Sequence, residues 1–340
     1  MSNFFSEYGF LFRTATFSRV VNLLKLHFSF QLKKINKNFP LRGNAYALSV
    51  EPTTACNLAC PECPSGLKKF TRKTGNISLD LYKKIISENK KHLWYINLYF
   101  QGEPYIHPHF FEMIKLARKN KIYSSTSTNA HFLDKENALK TVESGLNRLI
   151  ISLDGTTQKV YEQYRKKGNL SKVLEGIKNI VEAKKQQQSQ SPYVVIQFLV
   201  VKPNEHQIET AKALAKNLGA DAIRFKTAQV YSYENGNPLI PENEKYSRYK
   251  KNPNGTYSLK NTYKNNCWRM WSSAVITQGG EVVPCCFDKD AQHQFGKLTE
   301  HTFAEIWQNE KYNRFRKQVF TDRKSIDICR NCTEGTKVWT

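Results

Sequence analysis

Six short runs of β-forming residues alternate with helical patterns, and this alternation limits the fold more than any other feature of the chain. The runs are YALSV (46–50), WYINLYF (94–100), KIYSSTST (121–128), RLIISLD (148–154), YVVIQFLVV (193–201) and AIRFK (222–226). Strands that alternate with helices pair in parallel, and strands that are apolar almost throughout belong to a sheet covered on both faces. The pattern predicts an α/β fold, built as a partial (β/α)6 TIM-like barrel.

Composition divides the rest of the chain around this alternating region. The predicted parts are a basic leader (1–44), the barrel (45–228), a linker or lid rich in Asn, Gly, Pro and Tyr (229–266), and a C-terminal unit (267–340). In the last part, a Gly-Gly turn between two β-prone runs predicts a hairpin over 272–287, and apolar spacing predicts one helix over 302–320. The C-terminal unit is therefore expected to be a small α+β domain.

The leader combines positive charge with apolar residues at helical spacing. No acidic residue lies between Glu7 and Glu51. One stripe of a helix collects Phe17, Val20, Val21, Leu24, Phe28 and Leu32. Such a helix either lies on an anionic membrane surface or grips a partner, or it packs against the barrel. No apolar run reaches the ~18–20 residues of a membrane span, and no signal peptide is apparent, so we expect a cytoplasmic protein, with association to the inner membrane surface as the alternative.

The net charge is strongly positive, since 52 Lys and Arg residues exceed 29 Asp and Glu residues by 23. Such a field attracts nucleic acid, acidic lipid or an acidic substrate. Solvated lysines spread over the surface would give the same number. A basic, zinc-stapled protein that binds nucleic acid is therefore one alternative for the whole chain.

The eight cysteines are grouped at 56/60/63, 267, 285/286 and 329/332. This clustering favours a reducing compartment and metal ligation over disulfides. Cys56, Cys60 and Cys63 stand directly after the first strand. Because structural zinc takes four ligands, three thiols suggest a four-iron cluster with one iron left open, and zinc with a distant fourth ligand is the alternative.

The stretch CNLACPEC resembles the Cys-x3-Cys-x2-Cys signature of the radical S-adenosylmethionine (SAM) enzymes, and further segments match in order at the ends of the next strands. The resemblance implies that FQGEP (Gly102, Glu103, Pro104) holds the methionine amino group and that Ser127 and Asn129 of STSTNA contact the ribose. It implies that Ser152 and Arg165 hold the methionine carboxylate, a task that suits the planar guanidinium. Glu62 departs from the pattern, because the residue before the third cysteine is often aromatic or apolar.

The C-terminal cysteines form a second group. In isolation they could form a zinc knot. Beside a radical SAM core, Cys267, Cys285, Cys329 and Cys332 resemble the auxiliary-cluster domains called SPASM, or their shorter twitch form. The resemblance implies one auxiliary [4Fe-4S] cluster. Cys286 is the spare cysteine, interpreted as a small buried apolar residue.

The resemblance also implies the chemistry and the partners. Reductive cleavage of SAM would give a 5′-deoxyadenosyl radical that takes a hydrogen atom from the substrate. A closed auxiliary cluster would accept an electron, so we expect oxidation of the substrate by dehydrogenation or cross-linking, by a radical SAM oxidoreductase. A peptide- or sulfatase-maturing enzyme is the alternative. The partners would be a small-molecule, lipid, glycan or peptide substrate and an external donor such as flavodoxin or ferredoxin, with no nucleic acid.

Two cations on the sixth strand are the predicted catalytic residues. Arg224 and Lys226 alternate with Phe225, so both point the same way. If they point inward, they bind an anionic substrate or assist a deprotonation. If they point outward, they are surface charges.

Overall fold

The computed structural model describes Gly9 and residues 14–260, 264–332 and 334, so the first part of the predicted leader lies outside the described residues. All six predicted strands are present. Their bounds are β1 (Ala47–Val50), β2 (Tyr95–Asn97), β3 (Tyr123–Thr128), β4 (Arg148–Ser152), β5 (Tyr193–Val200) and β6 (Ala222–Thr227). The second strand is shorter than its β-prone run.

The helices of the described residues are α1 (Phe17–Ile35), α2 (Pro64–Leu67), α3 (Leu79–Asn89), α4 (Phe110–Lys119), α5 (Lys135–Ser144), α6 (Gln158–Tyr164), α7 (Leu170–Gln186), α8 (Ile208–Asn217), α9 (Trp268–Ser272), α10 (Phe303–Gln308) and α11 (Glu310–Thr321). The later strands are β7 (Tyr249–Lys251), β8 (Tyr257–Leu259), β9 (Ser273–Ile276), β10 (Glu281–Val283) and β11 (Gly296–Lys297). The chain forms two compact units. The first contains Met1–Ala55, Phe70–Ser125 and Tyr263–Gly335, and the second contains Cys56–Lys69, Thr126–Thr262 and Thr336–Thr340.

In the first unit the strand order is β11-β10-β9-β1-β2-β3. Strand β1 pairs in parallel on both sides, so Leu48 lies opposite Ile96 of β2 and Ala274 of β9. Strands β9 and β10 form the predicted hairpin, which is antiparallel. The C-terminal hairpin therefore extends the sheet that begins with the first strand.

In the second unit β4, β5 and β6 pair in parallel. Phe198 of β5 and Phe225 of β6 pack with Ile208 of α8 and Tyr246 in one buried cluster. The predicted linker is folded in part, because β7 and β8 form an antiparallel pair and the ring of Tyr249 stacks on Tyr233 at 4.5 Å. The outer face of this sheet is thus covered by α8 and by the segment that follows β6.

Helix α1 packs against its own unit, but through the face opposite the predicted apolar stripe. The buried residues are Arg19, Asn22, Leu26, Ser29, Phe30 and Lys33. Phe17, Leu24, Phe28 and Leu32 of the stripe are exposed. The helix is thus packed, as one alternative predicted, while the stripe stays exposed, because polar groups along the other face find partners that fix the helix. No helix of the described ranges is long and apolar enough to cross a membrane.

The helix predicted over 302–320 is two helices, α10 and α11. Asn309 interrupts it with an extended backbone, and its side chain accepts a hydrogen bond from Tyr312 N at 2.8 Å. An asparagine that caps a helix in this way satisfies a backbone donor that would otherwise lack a partner. The apolar spacing was right for each part but did not show the break.

Candidate active site

The predicted cluster loop follows β1, and its three thiols line one apolar group. Cys60 is buried, and Cys56 and Cys63 pack half-buried against the same cluster, which includes Leu58 and Tyr164. Leu58 N donates to Cys56 Sγ at 3.5 Å. Burial raises the pKa of Cys60, and the charge of a neighbouring arginine opposes it. The loop thus gathers three free thiols in a place from which water is largely excluded.

A glycine lets this loop close tightly. A Cβ added at Gly66, in helix α2, would lie 2.6 Å from the backbone nitrogen of Cys60. No Cβ is tolerated so close to a backbone atom, so the helix can pack against the loop only with glycine at this position. The spacing of the cysteines is therefore held by backbone contacts as well as by apolar packing.

Arg165 lies between an acid and the cluster loop. Its Nε donates to Asp154 Oδ2 at 2.5 Å, and its Nη1 approaches Cys60 Sγ at 3.8 Å. Burial acts to lower the pKa of Arg165, but Asp154 and Cys60 outweigh it and keep the guanidinium protonated. Asp154 also accepts from Leu199 N at 2.7 Å, which fixes the carboxylate. A carboxylate bound at the open side of this loop would meet a positioned cation.

Asn129, predicted to contact the ribose, touches the cysteine loop. Its Nδ2 donates to Asn57 Oδ1 at 2.8 Å and approaches Cys56 Sγ at 3.8 Å. Ser127 is the one residue of β3 that is not buried, and Ser152 at the end of β4 is buried. The polar ends of β3 and β4 therefore belong to the same unit as the cysteine loop. Glu62 accepts from Tyr231 N at 3.0 Å.

Gly102, Glu103 and Pro104 lie in the first unit, in the segment that follows β2. Gly102 has φ +74°, and a Cβ there would lie 2.2 Å from Thr53 O. Glu103 N donates to Ala55 O at 2.8 Å, and its side chain, which is almost fully buried, accepts from Tyr105 N at 3.3 Å. This segment is thus pressed against the residues that directly precede Cys56 in the sequence, at a point where only glycine fits.

Arg224 and Lys226 project from the face of β6 opposite buried Phe225. In register they lie beside Gln197 and Leu199 of β5. Leu199 packs against the apolar group that contains the cysteine loop. Since side chains in register share one face of a sheet, both cations lie on the face that carries the loop. The role of Arg224 and Lys226 on this face stays a prediction.

The four C-terminal cysteines come together in the first unit. Cys267 caps α9, Cys285 follows β10, and Cys329 and Cys332 are joined by a hydrogen bond from Cys332 N to Cys329 O at 3.1 Å. Burial raises the pKa of Cys267 to about 12 and that of Cys329 to about 11. Burial raises the pKa of Cys285, and the charges of Cys286, Cys332 and Cys267 raise it further, so these thiols are neighbours. Protonated thiols of this kind would release their protons on binding iron.

Two arginines that the sequence interpretation missed accompany these thiols. Arg323 Nη2 lies 3.3 Å from Cys332 Sγ, and Arg269 Nη1 lies 3.4 Å from Cys286 Sγ. Arg269 also pairs with Glu334 at 3.0 Å. Asp154 was missed in the same way. In the sequence, these three residues differ from other charged residues only in lying close to a motif cysteine or to the end of a strand. Many surface residues lie equally close, so the signal could not single them out.

The donor sets fit iron–sulfur clusters. Each cysteine group is free of disulfides, enclosed, and supplied with N–H groups directed at sulfur, as thiolate-held clusters require. Within the described ranges, no three Cys, His, Asp or Glu side chains converge as they would around a single metal ion. The fit therefore rests on burial and on contacts to sulfur.

Comparison with known families agrees with this chemistry. The model of the radical SAM superfamily matches residues 50–215, and that of SPASM, an iron–sulfur cluster-binding domain, matches residues 267–333. The chain thus carries a radical SAM domain and a SPASM domain. The family confirms the prediction of a SAM-binding [4Fe-4S] cluster and of auxiliary iron–sulfur ligation, in place of the zinc alternatives.

Two curated relatives align with most of the chain. The tungsten-containing aldehyde ferredoxin oxidoreductase cofactor-modifying protein of Pyrococcus furiosus is 26% identical over 319 residues, which is 84% of this chain and 86% of that protein. The PqqA peptide cyclase of Gluconobacter oxydans is 23% identical over 312 residues, 86% of this chain and 84% of the relative.

Among solved structures, Streptococcus suis SuiB bound to S-adenosylmethionine superposes with a TM-score of 0.64 at 16% identity, covering 90% of this chain and 75% of that one. This likeness concerns the fold. It confirms the expected α/β class, in which a mostly parallel sheet forms an open, partial TIM-like barrel.

Proposed function

We propose that this chain is a peptide-modifying radical SAM enzyme that oxidises a peptide and forms a new bond within it. The observation that carries the proposal is the similarity to the PqqA peptide cyclase over 86% of the chain. The two enclosed cysteine groups support it, because an oxidation needs a route by which an electron leaves the substrate. By the same proposal, the enzyme is an oxidoreductase.

The bound cofactors would supply the radical, by cleavage of SAM at the cluster of Cys56, Cys60 and Cys63. The protein's own residues would then hold SAM in place. Arg165 and Ser152 would bind its carboxylate, Gly102, Glu103 and Pro104 its amino group, and Ser127 and Asn129 its ribose. The proximity of Arg165 to Cys60 supports the first of these roles. Leu58 and Tyr164 would keep water from the radical.

Arg224 and Lys226 would act on the substrate. They share the sheet face of the cysteine loop, where a substrate must lie to meet the radical. Two cations at this place suit a carboxylate of a peptide side chain, because charge-assisted hydrogen bonds are among the stronger polar contacts. We propose that they position the peptide or assist loss of a proton. The auxiliary centre at Cys267, Cys285, Cys329 and Cys332 would accept the electron.

The test uses anaerobically reconstituted full-length protein, SAM, a chemical reductant and candidate peptides encoded by neighbouring genes. The expected result is a peptide two hydrogens lighter, with one 5′-deoxyadenosine released per product. The Cys56→Ala variant should release none. A peptide that gains a methyl group or keeps its mass would contradict the proposal, as would turnover confined to small alcohols or amines.

A further inference from the structure

Helix α1 presents an apolar face to solvent. Eight large apolar side chains are exposed among the described residues, and six of them lie on this one helix: Phe17, Val20, Leu24, Phe28, Leu32 and Ile35. Phe17 is 87% exposed and Ile35 84%. These six residues, the exposed apolar face, run the length of the helix. A contiguous face of this kind marks a contact with another surface, whereas scattered apolar residues do not.

The helix cannot roll to bury this face. Arg19 is fixed on the opposite side, where its guanidinium donates to the carbonyl oxygens of Thr14, Lys90, Asn120 and Lys121 at 2.6–3.1 Å. Asn22 exchanges two hydrogen bonds with Asn44, and Trp271 Nε1 donates to Leu26 O at 3.1 Å. These hydrogen bonds hold the inward face against the protein, so the apolar face points outward.

Positive charge borders the exposed apolar face on both sides. At about 100° per residue, Lys25 falls on one margin of the face and Lys34 on the other. Helix α1 contains no acidic residue. A cavity of about 510 Å³ opens beside the helix, and Lys25, Lys91 and His92 line it together with Phe17. Apolar residues flanked by lysines on one helix are the pattern of a helix that lies in a membrane interface.

We propose that α1 is a docking surface for an anionic lipid bilayer, with the six apolar side chains inserted among the acyl chains and Lys25, Lys34 and Lys91 near the lipid phosphates. A second copy of the chain fits less well. Its own α1 would bring more lysines and no carboxylate to the contact, on a chain whose net charge is already +23. Lipid phosphate supplies the missing negative charge. The proposal does not depend on the substrate of the enzyme.

The test is cosedimentation of the purified holoprotein with vesicles of phosphatidylcholine containing 30% phosphatidylglycerol, and with vesicles of phosphatidylcholine alone. We expect binding to the anionic vesicles that falls at least tenfold in 0.5 M salt. We expect the double variant Leu24→Gln, Phe28→Gln to lose at least tenfold in affinity for the anionic vesicles. We expect the double variant Lys25→Gln, Lys34→Gln to lose the part of that affinity that depends on salt. Matched controls outside the helix, Leu67→Gln and Lys216→Gln, should bind as the parent does.

Iron content and thermal unfolding of each variant show whether the fold is intact. Three results would overturn the proposal. One is a parent protein that stays in the supernatant with both vesicles. Another is binding that survives the Leu24 and Phe28 changes, which would place the contact elsewhere on the chain. The last is a concentration-dependent dimer that the same changes abolish, which would make a second copy the occupant.

Discussion

Arg165 shows at the scale of one residue how the fold prepares a charge for a ligand. Its guanidinium contacts a nearly fully buried aspartate and a cluster cysteine. We expect Arg165→Gln to weaken SAM binding at least tenfold, because the carboxylate of SAM would lose the cation that binds it. The variant should also lose about 3–5 kcal/mol of stability, since Asp154 would remain buried without its partner. Equilibrium binding of SAM and thermal unfolding measure the two effects.

The double variant Arg165→Gln, Asp154→Asn separates stability from binding. Removing both charges should restore most of the stability, because no buried charge remains unpaired. SAM binding should stay weak. If the double variant recovered SAM binding, Arg165 would be a structural residue and its proposed role would be wrong.

Gly102 offers a second residue-scale prediction. Gly102→Ala meets both a positive φ of +74° and a backbone oxygen 2.2 Å from the new Cβ. We expect a loss of about 2–5 kcal/mol in the free energy of unfolding, together with loss of SAM cleavage.

Gly255→Ala is the matched control for Gly102→Ala. Gly255 has φ +84° and no atom within 4 Å of the added Cβ. It should cost only the about 1–2 kcal/mol of the left-handed backbone. Equal losses in the two variants, measured by chemical denaturation, would show that close packing at Gly102 contributes nothing.

At the residue scale the motif residues could be predicted from the sequence and their supporting charges could not. Cys56 and Gly102 stand in the segments that follow β1 and β2, and Arg165 ends helix α6, so their positions follow from the order of the elements. Asp154, Arg269 and Arg323 act on thiols or cations that the fold brings close to them. Nothing in the local sequence distinguishes them from solvated charges.

At the scale of elements, helix α1 depends on one buried arginine. Arg19→Met would remove a guanidinium that satisfies four carbonyl oxygens from three separate segments. We expect a loss of about 2–4 kcal/mol in the free energy of unfolding. Each hydrogen bond from the charged guanidinium stabilises the fold, and the carbonyl oxygens would stay buried without a donor. Thermal unfolding measures this loss.

Lys25→Met is the control for Arg19→Met on the same helix. Lys25 is exposed, so its replacement should change the stability by about 0.5 kcal/mol or less. A small loss in both variants would mean that the helix is held mainly by Leu26 and Phe30 and not by the arginine.

The elements themselves were largely predictable. The six strands follow from runs of β-forming residues, and α7 from the spacing of Leu170, Val173 and Ile177. The orientation of α1 was not predictable, because the apolar stripe of Phe17 and Leu24 suits a packed helix and a membrane-surface helix equally. The polar contacts of Arg19 and Asn22 with distant segments make their face the packed one. The break at Asn309 was missed because the apolar positions on both sides keep helical spacing.

At the scale of the whole molecule, the two cysteine groups should hold iron independently of each other. The double variant Cys267→Ala, Cys285→Ala should keep the cluster of the first loop and its cleavage of SAM, but lose substrate oxidation. The triple variant Cys56→Ala, Cys60→Ala, Cys63→Ala should lose the cluster of the first loop but keep the iron of the C-terminal cysteines. It should release no 5′-deoxyadenosine. Iron and sulfide analysis with Mössbauer spectra checks both. Loss of all iron in either variant would mean that the groups assemble together.

The arginines beside the thiols differ in how far their charge is neutralised. Arg165 shares its charge with Asp154 at 2.5 Å, whereas Arg323 donates to Asn266 O and approaches Cys332 Sγ. A positive charge next to a ligating sulfur stabilises an added electron and raises the midpoint potential. The C-terminal centre should thus be the easier of the two to reduce, and Arg323→Gln should shift it downward in a redox titration. Electrons released during turnover would then run downhill toward the C-terminal cysteines, which gives the reaction a direction.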